Sequence, residues 1–393
     1  MPRRVGLVVF EGGLPEPIDA DEAMMRAARR AMAADLLEQA RAADSFDSIT
    51  LCSDDPVLLQ EAGALGCRTV DTRAGFHLQA TLAEVVERQG LEAVICMGGT
   101  ACPLATAADL AEWAGLIRTQ DRVVLVNNPM SPDIVAVHPA GLIGRLDPPP
   151  VLDNQLGESL RRAGLRRVLL PPGPRWSLDV DTPADVLILA VLGAGGPRAR
   201  AVLEQLPWDR ARVTAVLELL RRGRGELLLI GRVPPGVVAY LNAHFKIRVR
   251  VISEERGMKA LGLDGSGTVR SLVGAWIEDV GVERFLQQAS ATADAVLFDT
   301  RPVLAHRGRR VSDRDRFRCD LGRWPEICDP LARDLARCAG ACGVPVVLGG
   351  HTLVHGGLWA LAAHVVGGRS PGGVCDNLLQ YRQEPLYSRA NKV

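Results

Sequence analysis

The sequence predicts two consecutive α/β units, each built on a mostly parallel sheet. Short apolar runs alternate with amphipathic stretches of helical period from one end of the chain to the other. Leu192–Pro197, with two adjacent glycines and a proline after a long apolar helix, divides that alternation in two. The length of 393 residues suits two or three domains, and a 47% hydrophobic content supplies more than one core. The expected units are residues 1–192 and 198–393.

In the first unit, strands are expected at Val5–Phe10, Ser48–Cys52, Ala93–Met97, Arg122–Val126 and Ile134–Val137. Helical patterns lie between them at Ala23–Ala42, Val57–Ala64, Leu78–Gln89 and Ala107–Ile117. Asp54-Asp55-Pro56 and Thr106-Ala107-Ala108-Asp109 place a cap residue or a proline where a first turn wants one. The second unit repeats the scheme. Its strands are expected at Glu226–Ile230, Arg248–Ile252, Ala295–Phe298 and Pro345–Leu348. Its helices are expected at Ala211–Arg222, Val269–Val280, Val282–Ala289, Leu331–Cys342 and Gly357–Val366, before a polar tail.

Charge excludes some functions. Lys+Arg and Asp+Glu are both 46, so no net field draws the molecule to nucleic acid or to an anionic membrane. Only three basic residues are lysines (Lys246, Lys259, Lys392), which leaves the first half with none. No stretch approaches the ~20 apolar residues of a membrane span. The start, MPRRVGLVVF, carries no signal-like region, and the nine scattered cysteines read as reduced thiols of a cytoplasmic protein. A homodimer is left open.

Five segments carry a resemblance. These are Arg26–Leu37, Ile49–Pro56, Ala101–Leu110, Leu152–Leu156 and Leu178–Val186. In order, they resemble the nucleotidyltransferases of the GT-A-like, Rossmann-like nucleotide-diphospho-sugar transferase fold. The phospholactate guanylyltransferase branch is the most similar. The resemblance covers the first half and implies Mg²⁺, a nucleoside triphosphate and a small anionic acceptor. It implies that Asp179 and Asp181 hold the metal, and that Gly12, Gly13, Arg26 and Arg29 hold phosphates. It also implies that Asp153 and Asn154 face the acceptor. Ala101 stands where the family offers a metal-binding aspartate, and no lysine accompanies the glycine loop.

The residues give part of this independently. Asp179 and Asp181 are two apart, so on a strand both carboxylates share a face, as hard oxygen ligands for Mg²⁺ would. Thr182 and Pro183 then open a helix. The alternative is that Asp181 only caps that helix.

In the second half, each strand runs into a polar cluster. Arg232, Arg256 and Arg301 are set against Glu254, Glu255 and Asp299, and Gly349-Gly350-His351 follows the last strand. Ligands of open parallel sheets bind beyond the carboxyl ends of the strands. An anionic ligand held by Arg301 and the Gly349-Gly350 amides is expected there, with Asp299 and His351 in catalytic roles. His351 and His355, four apart, form a weaker zinc alternative. Ser312–Arg318 is charge-alternating and reads as a solvated loop or helix face.

The expected function is nucleotide binding, with Mg²⁺-dependent nucleotidyl transfer to a phosphorylated small acid as its enzymatic form. The alternative is an inactive scaffold or regulator whose second half carries a separate anion site.

Overall fold

The computed structural model describes residues 3–13, 16–150, 152–263 and 266–368. The side chain of Asp153, the residues Leu14, Pro15 and Gly265, and the expected polar tail lie outside the described residues.

The first sheet has seven strands: β1 (Val5–Glu11), β2 (Ser48–Ser53), β3 (Arg68–Asp71), β4 (Ala93–Gly98), β5 (Val123–Val126), β6 (Ile134–His138) and β7 (Arg166–Leu169). Their order is β3-β2-β1-β4-β6-β5-β7, and only β6 runs against its neighbours. The chain moves outward from β1 through β2 to β3, then returns to β4 on the other side. The switch point of the sheet therefore falls between the carboxyl ends of β1 and β4. Antiparallel β6 begins where β4 ends, with Met97 opposite Ile134, which brings Asp133 to that same edge.

The second sheet is fully parallel. Its strands are β8 (Arg224–Gly231), β9 (Lys246–Ser253), β10 (Ala295–Asp299) and β11 (Val346–Gly349), in the order β11-β10-β8-β9. Here the switch point lies between β8 and β10. The mixed, mostly parallel first sheet and the second α/β region match the predicted fold class.

All nine strands expected from apolar runs lie within two residues of their observed limits, and Arg122, expected to open the fourth, is a left-handed turn residue at φ 46°. Helices Leu78–Gln89 and Ala211–Arg222 form over the expected residues. Three expectations need correction. The helix expected from Val269 begins at Leu272, because Ser271 turns its hydroxyl to accept from the Gly274 amide. Of the two readings of Ser312–Arg318 the helix holds, but helix Asp313–Asp320 is not fully solvated, since it buries Asp315, Cys319 and Asp320. Strands β3 and β7 were not expected at all.

The halves share a core. Helix Pro183–Leu192 buries Val186, Leu187, Ile188 and Leu189 in one cluster with Leu217, Leu229, Leu297 and Leu358 from the second half. Helix Pro197–Glu204 then docks on helix Ala20–Ala42, where Asp35 accepts from the amides of Arg198 (3.1 Å) and Ala199 (2.8 Å). Ion pairs extend the junction: Arg318 meets Asp19 at 3.0 Å, Arg314 meets Glu22 at 2.8 Å and Arg323 meets Asp21 at 2.9 Å. The two switch points face each other across this junction.

Candidate functional site

Both switch points open into one cavity of about 1030 Å³. From the first half, Gly12, Gly13, Arg29, Asn154, Asp179 and Asp181 line it. From the second half come Arg301, Gly350 and His351. The second-half site expected from the sequence is therefore not a separate one: Arg301, Gly350 and His351 belong to the same crevice as the paired aspartates.

The acidic side is built by backbone geometry. Asp179 forms an antiparallel bridge to Ala101, just past β4, and accepts from Thr100 Oγ1 at 3.3 Å. The turn after it is fixed by Asp185, whose Oδ2 accepts from the Thr182 amide (2.9 Å), the Thr182 hydroxyl (2.8 Å) and the Asp181 amide (3.2 Å). Thr182, not Asp181, is the N-cap residue. Asp181 is thereby left to face the cavity. Burial pushes Asp185 up to about 8, so it holds a proton at neutral pH.

Asp133 joins the pair from the start of β6. Its amide donates to Asn127 Oδ1 at 3.1 Å, and Asn127 Nδ2 anchors the Trp176 carbonyl at 2.7 Å. Burial, followed by repulsion from Asp181 and Asp133, raises Asp179 well above the carboxylate range. Burial works in the same direction on Asp181, but Arg29, His351, Lys259 and Arg232 outweigh it and hold that carboxyl low. Three of those four come from the second half.

Several expected roles change on contact with the geometry. Arg29 donates from Nε to Glu11 Oε1 (2.8 Å) and lies 3.7 Å from Asp181 Oδ1, so its charge is already engaged by carboxylates. Arg26 pairs with Glu16 at 3.1 Å and does not line the cavity. The Gly13 amide, expected to cradle phosphate, already donates to Asp54 Oδ2 at 3.0 Å. Asn154, itself buried, donates from Nδ2 to Ser131 Oγ at 2.7 Å, which sets it in the cavity wall beside the loop before β6.

In the second half, Asp299 is fully buried and does not line the cavity; it holds Arg232. Arg301 lies against Asp320 in a two-pronged pair (2.9 and 2.7 Å), so its expected anion-binding capacity is spent. Gly349 also leaves the site: a Cβ there would meet Ala184 and Leu353, which makes it a close-packing glycine. Glu254 caps helix Leu272–Val280, accepting from the Ser271 hydroxyl and from the Leu272 amide at 2.8 Å.

His351 and His355 do line the cavity. Burial, reinforced by Arg232, lowers His351 to about 4. Burial, with His351 and Arg256, lowers His355 to about 3, so both rings are neutral at pH 7. Among the described residues no three His, Cys, Asp or Glu side chains form a ready-made metal set, zinc included.

Sequence reasoning missed Lys259. The first half has no lysine, yet Lys259 reaches the cavity from the turn after β9 and faces Asp181. That turn is tied to the first half by Gln155 Nε2, which donates to the Ala260 carbonyl at 3.2 Å. Only the rarity of lysine in this chain marked it out.

No family model matches the chain, and no curated protein matches it either. Among solved structures, it is similar to a cytidylyltransferase from Leptospira borgpetersenii (14% identity, TM-score 0.38, covering 52% of this chain and 93% of that one). It is similar to a protein assigned as a nucleotide-diphospho-sugar transferase from Desulfovibrio desulfuricans (16%, TM-score 0.40, 52% and 95%). It is also similar to a CMP:2-keto-3-deoxy-manno-octonic acid synthetase complexed with CTP (16%, TM-score 0.34, 51% and 99%). At such identities and scores, function has to be argued from the site itself.

Proposed function

We propose that the cavity binds a nucleoside triphosphate with Mg²⁺ and transfers the nucleotidyl group to a small phosphorylated acid. Guanylyl transfer is the specific form that the sequence resemblance implies. One observation carries the reading: the Asp179–Asp181 pair faces cations of the second half across a single crevice.

The residues present suit a divalent cation. Two neighbouring carboxylates share the cavity with mainly Arg29 to offset them, and desolvation together with their mutual repulsion raises Asp179. Mg²⁺ prefers hard oxygens, takes one or two protein carboxylates, and fills its remaining positions with water and phosphate oxygens. Asp179 and Asp181 would hold it, and bound there it would offset charge on the phosphates. The protein's own residues do the rest. Arg29 and Glu11 fix the carboxylates in place, Asn154 lines the wall, and Lys259 and Arg232 lie toward the side where phosphate charge would sit. Neutral His351, beside Asp181 and Arg232, is able to donate a hydrogen bond to a bound anionic acceptor.

On this reading the chain remains two domains, 1–192 and 198–393, with the second completing the site of the first. The test is thermal denaturation with Mg²⁺ and each of the four nucleoside triphosphates, followed by assay of pyrophosphate release with phosphorylated hydroxy acids. A metal-dependent rise in melting temperature for one nucleotide supports the reading. No rise with any of them contradicts it.

A further inference from the structure

The second half presents one wall of the cavity whose charged side chains are nearly all cations. Arg256 and Lys259 come from the turn after β9, and Arg309 and Arg310 from the segment after helix Arg301–Ala305. The one carboxylate lining this wall, Asp313, is engaged by Arg316. Asp299 and Asp320, behind it, are occupied by Arg232 and Arg301. In a chain whose charges balance overall, this is a local excess of positive charge.

The wall is a built feature. Its two segments meet backbone to backbone, since a Cβ on Gly308 would lie 3.1 Å from Gly267 Cα, and both glycines have positive φ. The Arg307 amide donates to the Val269 carbonyl, and the Arg307 guanidinium grips Glu278 at 3.0 Å. Gln155 and helix Asp313–Asp320 fasten the wall to the first half. Among the described residues Arg256 and Arg309 enter no ion pair and no side-chain hydrogen bond, so neither is used up by the fold.

We propose that this wall is a metal-independent subsite for a phosphoanhydride: the β- and γ-phosphoryl groups of the nucleotide and the pyrophosphate it becomes. Guanidinium forks match phosphate oxygens and keep their charge in every phosphate state. The position fits as well, because Lys259 faces Asp181, which puts the wall beside the proposed metal carboxylates. The assignment rests on the nucleotidyl-transfer reading. In that reaction an anionic acceptor oxygen donates its electron pair to form the bond to the α-phosphorus. The bridging bond between α-phosphorus and oxygen breaks, and its electron pair leaves on pyrophosphate. The wall thus takes the place of the lysine absent from the first half, and the two halves hold opposite ends of one triphosphate.

The probe is inorganic pyrophosphate, titrated calorimetrically into the full chain without metal. Binding is expected, and the double variant Arg256→Gln/Arg309→Gln is expected to weaken it at least tenfold, with Arg256→Lys/Arg309→Lys recovering part of it. The same glutamine variant should weaken nucleoside triphosphate with Mg²⁺ but leave nucleoside monophosphate unchanged. Pyrophosphate binding that is absent, or equal in the glutamine variant, overturns the subsite. So does an equal loss for monophosphate and triphosphate. The pyrophosphate arm contains no nucleotide or metal, so its outcome is separable from failure of the nucleotidyl-transfer reading.

Discussion

Arg232, the first residue beyond β8, grips Asp299, the last residue of β10, at the switch point of the second sheet. Its Nε lies 2.6 Å from Oδ2 and its Nη2 3.0 Å from Oδ1, while its own amide donates to Oδ2 at 3.2 Å. Burial works against the Asp299 charge, but Arg232 outweighs it and holds the carboxyl low. The pair aims Arg232 into the cavity and closes the edge of the sheet behind it.

Removing one partner of such a pair strands a buried charge. Asp299→Ala should therefore lower unfolding free energy by about 3–5 kcal/mol in urea denaturation. The double variant Arg232→Met/Asp299→Leu should regain most of that loss. A single-variant cost below ~1 kcal/mol would mean that solvent reaches the pair.

Gly231 makes this contact possible. Its φ of 113° is strained for any other residue, and a Cβ there would sit 2.5 Å from the Asp299 Cβ. Strain and overpacking together predict a loss of about 2 kcal/mol or more for Gly231→Ala. An unshifted melting temperature would show that β8 ends differently.

His355 gives the stability a pH dependence. Its folded value of about 3 lies below its ordinary 6.5, so between these limits only the unfolded chain binds the proton. Stability is full above 6.5 and falls as pH drops below it, by at most about 1.4 kcal/mol per unit from this ring. In denaturation between pH 6.5 and about 5, above the carboxylate range, His355→Gln should flatten the slope. An identical slope in that variant would contradict the burial argument.

The framework was legible because sheet interiors leave a plain trace. Leu227–Ile230 and Val346–Leu348 are apolar on both faces, as strands covered on both sides must be. Strands β3 (Arg-Thr-Val-Asp) and β7 (Arg-Arg-Val-Leu) left no such trace: both are edge strands with mostly exposed residues, and neighbouring backbone alone selects them. The site divides in the same way. Asp179 and Asp181 were legible from local spacing. Lys259 was not, since the contact between residues 78 positions apart is made only by the docking of two sheets. The carboxylate partners of Arg29, Arg301 and Gly13 were not legible, because a sequence shows a donor but not the carboxylate that will take it.

Ala101 occupies the position where the resembling family offers a third carboxylate, and its bridge to Asp179 places it at the cavity floor. Ala101→Asp should lower the metal-free melting temperature by adding an anion beside an acidic pair. It should also raise Mg²⁺ affinity roughly tenfold, about 1.4 kcal/mol, in calorimetric titration. Destabilisation without a gain in affinity would show that the geometry around Thr100 limits the metal.

The central claim is that the paired aspartates hold a metal-bound nucleotide between the halves. Titration of Mg²⁺ with nucleoside triphosphate into the wild-type chain and into Asp181→Asn tests it most directly. The account predicts metal-dependent binding in the wild type, and its loss by at least tenfold in a variant that still melts cooperatively at the wild-type temperature. Equal binding in the two proteins would contradict it.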